Sequence, residues 1–118
     1  MRTGSSSKQA LLNVSAAAKQ LKISRPTIYS WISDKRLLGW QATHRGPVIP
    51  AEQIIGPRRV VAGLPQVLDV ISDAAVAWDF LRQESAFLDP RGRPMDALKA
   101  GRIAEVVAAA RSHGTAFT

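Results

Sequence analysis

Short stretches with a helical spacing of apolar residues, each bounded by a residue suited to stop it, run along most of the chain. The first follows Ser15, a good helix cap, with Ala17, Ala18 and Leu21 able to share one side of a short helix over 16–21. Lys22-Ile23-Ser24 interrupts it, and a second helix is expected over 25–32. Ser24 can accept a bond from an early amide of that helix, and Pro26 is tolerated in a first turn, where its missing N–H has no intrahelical partner to lose. Ile28 and Ile32 fall on one face with Trp31 beside them, which leaves Arg25, Thr27, Tyr29, Ser30 and Ser33 toward the other side. Two short helices with a three-residue turn form a helix-turn-helix pattern.

The period then shortens. Residues 38–43 and 47–49 read as two strands around His44-Arg45-Gly46, with the glycine supplying the turn and the tip carrying His44 and Arg45. One helical turn is expected over 51–55, stopped by Gly56-Pro57-Arg58-Arg59. Beyond Gly63 every stretch reads as helical. Val67, Leu68 and Ile71 mark a helix over 65–71, and Ser72 or Asp73 can cap another over 74–82, which is apolar around much of its circumference and therefore needs a partner to bury it. Phe87 and Leu88 precede a turn-rich loop, Asp96 is placed to cap 97–100, Gly101 breaks the chain, and a last helix is expected over 102–112 with His113-Gly114 at its end. The expected organisation is a disordered Ser-rich arm over 1–11, a winged helix-turn-helix domain over 12–56, a linker over 57–63 and a helical domain over 64–118. The fold class is mainly α with one small β-hairpin.

Charge changes the picture because it is unevenly placed. Of the sixteen Lys and Arg in 118 residues, ten lie before Leu64 against two acids, Asp34 and Glu52, giving that half +8. The remainder has six against seven, giving −1. A basic domain beside a neutral one suits a nucleic-acid reader joined to a protein-binding module. A helix entering the major groove needs hydrogen-bonding side chains near its start and cations at its flanks. Arg25, Thr27, Tyr29 and Ser30 meet the first need, Lys35 and Arg36 the second, and His44 with Arg45 would bring the hairpin tip to the backbone or the minor groove.

Other chemistries find little footing. There is no cysteine, and the two histidines, His44 and His113, lie in different halves. No nucleophile-base arrangement, phosphate-cradling glycine loop or metal-ligand cluster is present in the sequence, so no enzyme activity, cofactor or metal is expected. No apolar run approaches the ~20 residues of a membrane helix, and the polar start lacks the apolar core of a signal peptide, so a cytoplasmic protein is expected.

Two family resemblances cover about half the chain each. Residues 13–55, especially 14–31 with the later Val48-Ile49-Pro50, resemble the excisionase/AlpA-type and MerR-like winged helix-turn-helix. That resemblance implies a second helix in the major groove and a hairpin wing on the backbone or minor groove. Residues 64–118 resemble the C-terminal domain of MbcA/ParS/Xre-type antitoxins through Val67-Leu68, Ala77-Trp78-Asp79-Phe80-Leu81, Phe87-Leu88, Gly92-Arg93-Pro94, Asp96-Ala97-Leu98, Gly101-Arg102 and Val106-Val107. It implies a helical module that dimerises and occludes a RES-type toxin, with partner contacts at Trp78, Phe87, Arg93, Arg111, His113 and Phe117. The departure from that family is the first half, since its usual companion is an all-helical Xre-like domain. The resemblances together imply an antitoxin-like transcriptional regulator, a homodimer on operator DNA. A stand-alone regulator or an excisionase-like recombination directionality factor is the alternative.

Overall fold

The computed structural model describes residues 10–44 and 46–116. Its secondary structure is mainly helical, with small antiparallel sheets, and the chain divides into two compact units at Val60 and Val61.

The first unit begins with β1 (Leu11–Leu12), followed by α1 (Val14–Leu21) and α2 (Arg25–Ser33). Asn13, not Ser15, caps α1: its Oδ1 accepts from the amide of Ala16 at 2.8 Å. The cap lies two residues earlier than expected because Leu11 and Leu12 are not part of a loose arm. They pair with Pro50 and Ile49, and this fixes where the chain enters the helix. Lys22 closes α1 in the left-handed conformation, and Ser24 caps α2 by accepting from the amide of Thr27 at 3.2 Å.

Next come β2 (Trp40–Thr43) and β3 (Gly46–Pro50), which form an antiparallel hairpin with Trp40 opposite Val48. β3 is the central strand of three, between β1 and β2. Gly39 leads into β2 against Ile32, where a Cβ would stand 2.7 Å from Ile32 Cδ1. A single 3-10 turn, Ala51–Gln53, replaces the expected helical turn, and the chain then continues as β4 (Ile54–Gly56) and β5 (Arg59–Val60). Much of the expected linker over 57–63 is therefore a second hairpin. Its β-branched flanks pair Ile54 with Val60.

Val14, Ala17, Ala18, Leu21, Ile28, Leu37 and Ile49 form the core of this unit. Gln53 is the polar exception, fully buried and bonded on both sides of its amide. Its Oε1 accepts from the Leu38 amide at 2.7 Å, and its Nε2 donates to the carbonyls of Leu38 and Pro50 at 2.8 and 3.0 Å. A side-chain amide that completes three backbone bonds stitches the segment after α2 to the end of β3.

The second unit contains α3 (Leu64–Val70), α4 (Ala74–Arg82), α5 (Pro94–Lys99) and α6 (Ile103–Ala116). Asp73 caps α4 as its position predicts, accepting from the amide of Val76 at 3.1 Å. α5 begins at Pro94 with Arg93 at the cap position, so Asp96 lies in its first turn and does not cap it. α6 continues through the expected stop at His113-Gly114. α3 packs on α6 and α4, and α5 packs on α4 and α6. Between them lie Leu64, Val67, Trp78, Phe80, Leu81, Met95, Leu98, Val106 and Ala110, all buried. No helix among the described residues is long and apolar enough to cross a membrane.

Candidate nucleic-acid interface

The sequence of α2 divides its circumference. Ile28 is buried and Trp31 and Ile32 are half-buried against the core, while Arg25, Pro26, Tyr29, Ser30 and Ser33 are exposed. At 100° per residue these five cover one continuous side, because 25, 29 and 33 form a row four apart and 26 and 30 the row next to it. Thr27 departs from expectation. It is half-buried, and its Oγ1 lies 2.7 Å from Ser24 Oγ, so its hydroxyl belongs to the cap and not to the exposed face.

Arg25 is held without being neutralised. Its Nη1 donates to Ser15 Oγ at 3.3 Å, which brings the starts of α1 and α2 to one open cleft of about 670 Å³ lined by Asn13, Ser15, Arg25, Pro26 and Tyr29. Ser15, expected as a cap, thus orients a guanidinium. Tyr29 is 53% exposed, and its hydroxyl lies beside Gly46, 3.8 Å from where a Cβ would stand. The exposed face of α2 therefore runs near the β2–β3 turn, where Gly46 takes φ +108, which side chains rarely adopt. His44 is exposed at that turn, and Arg45 lies outside the described residues.

The far end of α2 is organised around Trp31. The amides of Arg36 and Leu37 both donate to its carbonyl, at 2.9 and 3.2 Å, and the Arg36 guanidinium stacks over its ring at 4.3 Å. A cation on an aromatic face keeps its charge and gains a fixed plane. Lys35, also exposed, has φ 64.

Family models, characterised proteins and solved structures offer no match to this chain. The residues themselves therefore carry the functional argument.

The residues expected to meet a protein partner are not all at the surface. Trp78 is only 6% exposed and belongs to the core of the second unit, a correction to its expected role. An aromatic at helical spacing is equally at home in a core, and the ring is buried by the chain itself. Phe87 is 48% exposed and, with Val76, lines a groove of about 400 Å³ that also includes Asp79, Phe80, Glu84 and His113. His113 is half-buried with its ring 5.1 Å from that of Phe80, so it walls the groove. Arg93 is half-buried, 3.8 Å from Asp96, and Arg111 is exposed on α6. Phe117 lies outside the described residues. No group of three or more His, Cys, Asp or Glu among the described residues is placed to hold a metal ion.

Sequence reasoning missed Ser15 as a partner of Arg25, Gln53 as an internal clamp, and the second hairpin. For the hairpin a signal was present: Ile54-Ile55 and Val60-Val61 flank Gly56-Pro57-Arg58-Arg59, two β-branched runs around a turn.

Proposed function

We propose that this chain is a DNA-binding transcriptional regulator of antitoxin type. Its first unit acts as a winged helix-turn-helix and its second as a dimerisation and partner-binding module. The observation that carries this reading is the exposed side of α2, where Arg25, Tyr29 and Ser30 stand together, Arg25 is oriented by a neutral hydroxyl, and Tyr29 adjoins the hairpin turn. In this reading α2 enters the major groove, Arg25 and Ser30 reach base edges or the nearest phosphates, and the β2–β3 hairpin serves as the wing. Lys35 and Arg36 add cations at the far end of the helix.

A dimer with two-fold symmetry would bring two such helices to half-sites about one duplex turn, or a multiple of it, apart. The groove of the second unit, with exposed Phe87 and Val76 at its rim, is the surface assigned to a protein partner, for which the resemblance suggests a RES-type toxin.

Selection of bound duplexes from a random library tests the reading. Full-length protein is expected to enrich a two-fold-symmetric sequence, and the R25A/S30A variant to lose that enrichment while retaining its melting temperature. Enrichment unchanged in the variant would remove α2 from the reading. Absence of any duplex binding by the native chain would overturn it.

A further inference from the structure

A second group of cations lies outside α2. Lys19 is in the last turn of α1, Lys22 closes that helix, and Arg58 and Arg59 occupy the tip and outgoing strand of the β4–β5 hairpin; all four are exposed. The fold brings them together. The Arg58 amide donates to the Leu21 carbonyl at 2.8 Å, so the hairpin tip seats on the C-terminal end of α1, directly beside Lys22. Lys22 and Arg58 both take φ 58, a conformation costly for a long side chain and relieved by asparagine or glycine.

An ordinary role for such cations is to complement the negative end of a helix, but that end carries only about half a charge. The two segments that meet there carry four positive residues, and none of them forms an ion pair among the described residues. The half of the chain that holds them has only two acids, and one of these, Glu52, is buried. The group is therefore an uncompensated positive patch built from two separate elements.

We infer that Lys19, Lys22, Arg58 and Arg59 form a second phosphate-binding site, which grips the duplex backbone beside the segment read by α2. This rests on the DNA-binding reading above. Lys22 and Arg25 are three positions apart, at most about 11 Å of backbone. Lysine and arginine side chains extend from both positions, so the two sites lie within reach of nearby phosphates on one duplex. Contacts of this kind add affinity and position without reading sequence. The second hairpin thus has a role distinct from that of β2–β3: it widens the footprint.

The test measures affinity of the full chain for its selected duplex and for an unrelated duplex over a range of salt concentrations. One variant carries R58N and R59Q, another K19Q and K22N, with asparagine chosen where φ is positive. Each pair is expected to weaken binding roughly ten- to fifty-fold at 0.1 M salt, and to lower the slope of log affinity against log salt by about 2. The ratio between the two duplexes should stay constant, as should the melting temperature. Unchanged affinity and slope in both variants, while R25A/S30A still loses sequence preference, would overturn this inference and leave the first reading standing. Loss confined to single-stranded RNA, with duplex binding intact, would also overturn it. Failure of the native chain to bind any duplex would overturn both.

Discussion

Three arginines of the second unit and two of the first end in different company. In the second unit Arg82, Arg93 and Arg102 each lie within ion-pair distance of a carboxylate three residues away, Asp79, Asp96 and Glu105, at 2.6, 3.8 and 2.6 Å. In the first, Arg25 rests on a serine hydroxyl and Arg36 on an indole ring. A carboxylate partner fixes a guanidinium and cancels its field, whereas a hydroxyl or a ring fixes it and leaves the field intact. Net charge is therefore a poor guide to where a polyanion would bind. The sites to examine are those where the fold orients cations without discharging them.

The largest effect is expected where the comparison touches stability. The second unit is closed mainly by apolar helix packing, while the first adds a buried, fully bonded amide to its apolar core. Gln53→Leu leaves the Leu38 amide and two carbonyls without their partner, and is expected to cost about 3 kcal/mol in denaturant unfolding. Melting followed through both units should show the first unit affected. Next in size is recognition. Arg25→Ala is expected to weaken binding to the selected duplex by about 2 kcal/mol, whereas Arg82→Gln, which removes an already paired charge, should leave it within error in the same titration.

How much of this was legible in the sequence follows from how local each determinant is. Ser24 and Pro26 announced the start of α2 because a cap and a first-turn proline act within four residues. Asn13 and Ser15 are both good caps two positions apart, and the choice was made by the pairing of Leu11 and Leu12 with a strand nearly forty residues away. No local pattern contains that. Asp96 misled for a related reason: Pro94 suits a first helical position, and burial of Pro94 and Met95 extends α5 ahead of the acid. The exposed face of α2 was readable from its spacing, except that Thr27 turns toward Ser24. Trp78 shows the limit for surfaces, since the sequence tells that a ring will be buried but not whether by its own chain or by another.

Helix caps act on a smaller scale in both units. Asn13→Ala and Asp73→Ala each remove one side-chain bond to an early amide, and each is expected to cost about 1 kcal/mol in thermal unfolding, the former in the first unit and the latter in the second. The smallest effect concerns pH. Two hydrogen bonds from the Arg102 guanidinium hold Glu105 below the ordinary carboxylate range, against a weaker opposing effect of burial. A carboxyl depressed on folding contributes stability above its unfolded value and loses it as pH falls through the folded one. A slight destabilisation of the second unit below about pH 4 is therefore expected, and E105Q should abolish it. A pH-resolved melting series comparing native protein with E105Q checks this.

The unequal discharge of cations can be measured directly by the salt dependence of duplex binding. Full-length protein is compared with one variant neutralised at Arg25, Arg58 and Arg59 and another neutralised at Arg82, Arg93 and Arg102, each confirmed folded by its melting transition. The slope of log affinity against log salt is expected to fall by about 3 in the first variant and to stay unchanged in the second. Equal slopes in all three proteins, or a fall confined to the second variant, would contradict it.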